Sequence, residues 1–571
     1  MTLSRQLLPK SFLCCCISAV LFAGSLLAPA SAAEVQLLTA KRIHTSDPKH
    51  PTATAIAWDA SGRLLAVGEI KELLARYPDA DRIDAGDATV VPGLIDAHGH
   101  IMGLGLALMQ ADLVGAASKA EAMTRLREFE KTLAPDEWLL GRGWDQNDWP
   151  ETAFPTATDL DAAFPDRPVW LECVDGHAGW ANSAALRALA ASSVGKAMLN
   201  SGKIDGGKVI VGANGKPSGI LVDAAMEPMS AVLPEAGPAR YEQALNRALA
   251  LLASDGLTGV HDMGVSRAEL ELYKRFADAG RLSLRIDAYA NGDKEALADL
   301  CKDGMYTHAG GRLEMHGVKL YIDGALGSRG AALLADYSDD PGNRGLLVTA
   351  PDAYEAAVRK AKGCGVQVAT HAIGDRGNRL VLDTYERVLG NDAKTGHRWR
   401  VEHAQILSPD DLGRFVKLGV IASMQPTHAT SDMPWAHERL GEARLVGAYA
   451  WRDLLNSGAH LAFGSDFPVE SPDPRLGLYA AVMRQDREGH PPGGWFPAQR
   501  MTAVEALRGF TADAAWAGFD EDQVGRLAPG LHADFVVLAA DPLAIPNSHI
   551  DDLKIRSTWV DGKPVYEAKQ D

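Results

Sequence analysis

Between residues 94 and 466 the chain alternates two textures, and this alternation constrains its fold more than any other feature. Short apolar runs read as eight strands: "GLIDAHGH", "LTGVHDMG", "LSLRIDAYA", "MHGVKLYIDGA", "GVQVATHAIGD", "WRVEHAQIL", "GVIASMQPT" and "AHLAFGSDFP". Helical stretches such as "RYEQALNRALALLASDG", "PDAYEAAVRKAKGCG" and "SPDDLGRFVKLG" lie between several of them. Strand followed by helix, repeated, implies parallel pairing, because a parallel pair needs a crossover long enough to hold a helix. Eight such units predict an α/β fold, a (β/α)8 TIM-like barrel over residues 91–520. A doubly wound sheet is the competing arrangement.

The first two strand candidates are far apart, so residues from about 103 to 240 form a large insertion after barrel strand 1. Residues 33–90 and 521–571 share a different pattern, short apolar stretches around turns such as "DASGRLLAVG" and "IRSTWVDGKPVYE". Chain ends often lie close together, and these two segments are expected to pair into one small β-sandwich domain.

Residues 1–32 carry Arg5 and Lys10, then the apolar run "SFLCCCISAVLFAGSLLA", then Ala30-Ser31-Ala32. That order is a cleaved signal peptide, so export to the periplasm or beyond is expected. An uncleaved anchor is the alternative, but the run is barely long enough to span a bilayer. Losing Arg5 and Lys10 would take the formal charge from −17 to −19. Such an acidic chain repels nucleic acid and anionic membranes; the expected partner is a small-molecule substrate, with homo-oligomerisation left open. Cys173, Cys301 and Cys364 remain after the leader. An odd, sparse set is not a disulfide framework; at most one bridge is available, and the three are read as packing residues.

In a barrel of this kind, reactive residues sit at the C-terminal strand ends. Those ends carry His98 and His100 (strand 1), Lys319 (strand 4), His371 (strand 5), His403 (strand 6) and Asp466 (strand 8). On a strand, positions i and i+2 share a face, so His98 and His100 project together like two teeth of a chelate. A glycosidase would instead show paired carboxylates.

The pieces "VPGLIDAHGH", "GRGWDQNDWP", "VDGHAGWANSAAL", "GVKLYIDGALGSRGAALL", "THAIGDRGNRLVLDTYE", "RVEHAQIL" and "FGSDFPVES" resemble the amidohydrolase superfamily. Within it they are most similar to the N-substituted formamide deformylase-like branch, the amidohydrolase 3 group, over residues 35 to 568. The resemblance implies a centre of two divalent metals. His98, His100 and Asp466 would hold one ion, His371 and His403 the other, with Lys319, carbamylated by CO2, bridging both. Imidazole and carboxylate ligands suit zinc, and equally admit manganese, iron or nickel. The implied reaction is hydrolysis of an amide, N-formyl or N-acyl C–N bond by metal-activated water, with Asp466 as the catalytic general base. The same centre would also serve for an ester, lactone or phosphoester, and a non-catalytic binding protein is a third reading. Candidate substrate contacts are Arg329 in the glycine-rich loop after strand 4, Arg376 after strand 5, and His177, Trp144 and Trp180 in the insertion. There, with Asp175 and Trp149, they are expected to form an aromatic-walled lid.

Overall fold

A computed structural model describes residues 35–569 apart from 147–148, 152, 175–177, 205–206, 213–214, 224, 235–236, 293 and 328. The expected leader, residues 1–32, lies outside the described residues, and so do Asp175 and His177.

The eight apolar runs form eight parallel strands: β1 (Leu94–Gly99), β2 (Leu257–Val265), β3 (Arg285–Asn291), β4 (Leu313–Tyr321), β5 (Gln367–Ala372), β6 (Arg400–His403), β7 (Ile421–Met424) and β8 (Leu461–Phe463). They pair side by side in that order. The register sets Tyr321 opposite His371, and Ala372 opposite His403. The ring closes at its rim, just past the end of β8. Asp466 N donates to His98 O at 2.7 Å, and His100 N donates to Phe467 O at 2.9 Å. Gly464 allows this approach, since a Cβ there would lie 2.5 Å from His98 N.

Barrel strands are buried on both faces, which is why they read as continuous apolar runs rather than alternating ones. All of β1 is buried. Outside it, the helix Pro238–Ser254 begins with proline in its first turn and buries Ala244, Leu245, Ala248, Leu249 and Leu252 along one stripe. That stripe lies against the helix Ile101–Ala107. Both helices therefore belong to the barrel, and the insertion proper runs between them. Its seven-stranded sheet has a core of its own around Leu113, Leu126, Trp144, Leu160, Leu171 and Trp180.

The two chain ends pair directly: Val90 lies opposite Val537 and Pro92 opposite Phe535, in antiparallel register. Together they make one mixed eight-stranded sheet, packed around Leu38, Ile43, Trp58, Phe535 and Trp559. It is fastened to the barrel by Arg285, which bonds Asp534 at 2.8 Å and Asp561 at 2.5 Å, and by Arg312 on Asp561 at 2.8 Å.

One expectation is corrected. Cys301 and Cys364 form a disulfide with Cα atoms 5.1 Å apart, rather than serving as separate packing residues. It joins the helices Lys294–Asp303 and Pro351–Cys364, which the barrel's winding sets side by side. Sequence spacing carries no trace of that neighbourhood. Cys173 is buried within the insertion core.

Candidate metal centre

The rim where β1 meets the segment after β8 gathers His98, His100, Lys319, His371, His403 and Asp466. His98 Nε2 lies 3.4 Å and His100 Nε2 3.1 Å from Asp466 Oδ1. Lys319 Nζ is 3.1 Å from His98 Nε2. The His403 ring centroid is 4.8 Å from that of His98 and 4.6 Å from that of His371. Asp466 and His403 hold φ values of +62° and +74°. Residues other than glycine seldom adopt this backbone region, and it recurs at working sites where surrounding structure compensates for the strain.

The orientation of the imidazoles carries the chemistry. His98 Nδ1 lies 2.6 Å from Glu402 Oε2, His100 Nδ1 2.7 Å from the Met263 carbonyl, and His403 Nδ1 2.9 Å from Gln425 Oε1. All three partners are acceptors, so each Nδ1 carries a proton, and a neutral ring in this setting keeps its lone pair on Nε2. For His98 and His100 that Nε2 faces Asp466 Oδ1. A neutral imidazole nitrogen facing a carboxylate oxygen at 3.1–3.4 Å puts two acceptors together, which is favourable only with a proton or a cation between them. His371 Nε2 is buried with no hydrogen-bond partner. Burial lowers His98 to about 4 and His371 to about 3, so both rings are neutral donors at pH 7. Burial also lowers Lys319, to about 8. The residues thus fit a divalent ion: His98, His100 and Asp466 each offer one ligand atom within 4.8 Å of the others, and so do His403, His428 and Asp466.

His428, Glu402, Arg400, Asp96 and Asp323 escaped sequence reading at this centre. His428 opens from the helix Pro426–Asp432 directly after β7, with Nε2 3.3 Å from Asp466 Oδ2 and Nδ1 3.5 Å from Glu470. Burial works to lower His428, but the two carboxylates outweigh it and push it up to about 10. Glu402 and Arg400 lie under the centre, both fully buried and 2.7 Å apart. Arg400 also donates to the Ala97 carbonyl at 2.6 Å, Ser423 Oγ at 2.7 Å and His261 Nδ1 at 2.8 Å. His261 thus packs in the barrel floor. Asp262 braces the rim, accepting from Ile101 N at 3.0 Å and from the Tyr273 hydroxyl at 2.7 Å. Asp96 ties β1 to the segment after β8 through His98 N, Ser465 N and Ser465 Oγ. Asp323 ties the ends of β4 and β5 through Ala332 N, Ile373 N and Gly374 N. The only cue in the sequence for these braces is an acid or hydroxyl at a strand end, which surface turns share.

The expected substrate contacts fare differently. Trp144 and Trp180 are fully buried, their rings 5.9 Å apart, and Trp149 is nearly so. Their indole N–H groups are spent on the carbonyls of Leu171, Thr156 and Ala116. These three tryptophans are the insertion's core rather than a lid wall, because nothing of them faces outward. Arg329 pairs with Asp339 at 2.8 Å. Arg376 is exposed at the start of its helix. His177 lies outside the described residues. What links the insertion to the rim is Arg142, which donates to the Pro468 carbonyl at 3.0 Å, two residues from Asp466.

With this geometry in view, likeness to known proteins bears on the site. The model of the amidohydrolase family called Amidohydro_3 matches residues 81–566. The chain is 33% identical to Protein LONG AFTER FAR-RED 3 of Arabidopsis thaliana, over 95% of this chain and 93% of that protein. It is 28% identical to N-substituted formamide deformylase of Arthrobacter pascens, over 92% of this chain and 97% of that enzyme. A crystal structure of a metal-dependent hydrolase from Pyrococcus horikoshii superposes with a TM-score of 0.74 at 29% identity, covering 90% of this chain and 99% of that one. A barrel whose strand ends converge on paired imidazole and carboxylate donors, matched along nearly its whole length, identifies this chain as a member of the amidohydrolase family.

Proposed function

We propose that the protein hydrolyses an amide-type C–N bond, N-formyl or N-acyl, in a small molecule, and that it does so outside the cytoplasm. The observation that carries this reading is the pair of Nε2 atoms of His98 and His100 facing Asp466, with each opposing Nδ1 proton held by a fixed acceptor. The deformylase relative supports the choice of bond, and the leader-like residues 1–32 support export. Two ions are assigned here, zinc by ligand type. His98, His100 and Asp466 would hold one, and His403 and His371 stand on the side of the other.

Bound there, divalent cations would acidify water and polarise the scissile carbonyl. Asp466 takes the proton from the attacking water and returns it to the leaving nitrogen as the C–N bond breaks, giving a carboxylic acid and an amine. Glu402 and the Met263 carbonyl keep His98 and His100 in one tautomer and one orientation throughout. Lys319 is assigned as the carbamylated residue; its burial favours the neutral amine, the form that adds CO2.

The test is metal analysis of the purified protein joined to a panel of N-formyl amines, N-acyl amino acids and aryl esters, with and without chelator. Bound metal with chelator-sensitive amide cleavage is the expected result. Metal-free protein, or cleavage of esters alone, rejects the assignment.

A further inference from the structure

We infer that His428 is a further metal ligand, forming with His403 and the Oδ2 side of Asp466 a cation pocket beside the one made by His98, His100 and Oδ1. This rests on the reading of the rim as a metal centre and extends it to a residue that the strand-end pattern left out.

Orientation is the first argument. His428 repeats the arrangement of the other rings: Nδ1 faces an outer oxygen, Glu470 Oε1 at 3.5 Å, and Nε2 faces Asp466 at 3.3 Å. A carboxylate behind the ring and a cation in front of Nε2 is the usual dress of a ligating histidine; without an ion the two carboxylates keep both ring nitrogens of His428 protonated, and ligation releases the Nε2 proton. Spacing is the second. Bonds of about 2.0–2.1 Å in a tetrahedral site set neighbouring ligand atoms about 3.3–3.4 Å apart. The pair His98 Nε2–Asp466 Oδ1 stands at 3.4 Å and the pair His428 Nε2–Asp466 Oδ2 at 3.3 Å. The third argument is the division of Asp466 itself. Its Oδ1 faces His98 and His100, its Oδ2 faces His428, and His403 joins the second group within 4.8 Å. One carboxylate with an oxygen turned to each of two imidazole sets is built to serve two cations. Lys319 stands on the His98 side, 3.1 Å from its Nε2, so His428 supplies a donor from the opposite flank. It does so from the helix just after β7, three residues past Gln425, which holds His403 Nδ1.

The full-length protein, His428→Asn, His428→Gln and Glu470→Gln are stripped of metal and loaded with zinc alone. Bound zinc is counted after gel filtration, its affinity is read by chelator competition, and ion positions are taken from anomalous diffraction at the zinc edge. The expected result is two ions in the wild type, one of them bonded to His428. Both His428 variants should keep the ion at His98, His100 and Asp466 and lose the other, with its affinity down at least tenfold. Glu470→Gln should weaken only that second ion, and it serves as the test if the His428 variants do not fold, as judged by circular dichroism of the metal-free forms. Wild-type crystals with no ion bonded to His428, or variants that bind both ions at wild-type affinity, overturn the inference while leaving a metal centre standing. A wild type that binds no zinc at all removes the proposed function as well.

Discussion

The rim of the barrel and the core of the insertion both drew attention as clusters of aromatic nitrogen heterocycles, yet they use those rings in opposite ways. In the insertion every indole N–H of Trp144, Trp149 and Trp180 ends on a backbone carbonyl, and the rings pack on each other. At the rim, the imidazoles spend one nitrogen on the scaffold and keep the other aimed at a shared carboxylate. The lesson is a physical criterion: a cluster is chemical when it holds polar atoms in reserve at a common point, and structural when none is left over.

The sharpest way to break this comparison is to remove the shared point. Asp466→Asn, compared at matched metal content, should lower kcat by about 10²–10⁴-fold, the range for a positioned general base; near-normal turnover there would remove Asp466 from that role. Trp144→Ala should act in the opposite column. It should cost about 3–5 kcal/mol of stability, as for a large buried aromatic, while the folded fraction keeps wild-type metal content and KM. A raised KM without lost stability would return Trp144 to the substrate wall. Reducing the disulfide or replacing Cys301 by Ser should cost about 2–4 kcal/mol, read as a lower denaturation midpoint with kcat unchanged at low temperature.

Glu402→Gln should weaken metal binding by about 10–100-fold, the usual cost of losing a carboxylate behind a ligating histidine; chelator competition reads it, and unchanged affinity would mean that His98 holds its orientation unaided. The smallest effect concerns the fastening of the end sheet to the barrel. Burial works to raise Asp561, but His532, Arg285 and Arg312 outweigh it and hold its carboxyl below the usual carboxylate range. A depressed folded-state value means the contribution is present above the unfolded value of about 3.9 and fades as pH falls below it. Asp561→Asn should therefore flatten the loss of stability below about pH 4 and cost at most about 1 kcal/mol at neutral pH, since the cluster is partly screened by solvent. An unchanged acid transition in that variant would assign the slope to other carboxylates.

The barrel was legible because its strands are buried on both faces and its crossovers are helical, both of which are local patterns. His98 and His100 were legible for the same reason, standing two apart at a strand end, and the remaining strand-end donors followed once the strands were placed. Trp144 and Trp180 were read as a lid wall because an aromatic run looks the same in a core as in a lid; their burial and the direction of each N–H place them in the insertion core. His428 went unseen because it sits in the first turn of a helix, with a partner 38 positions away. Glu402 went unseen because its partner His98 is 304 positions away.

What the sequence determined by itself is the architecture and the inventory of donors: eight β/α units, an interruption after the first, two ends able to pair, and histidines at the strand tips. Tertiary structure alone decided which nitrogen of each ring looks inward, which carboxylates stand behind them, and which cysteines meet. Periodicity is a property of neighbours along the chain. Hydrogen-bond direction at the rim depends on which groups from distant strands arrive at the same point when the ring of strands closes.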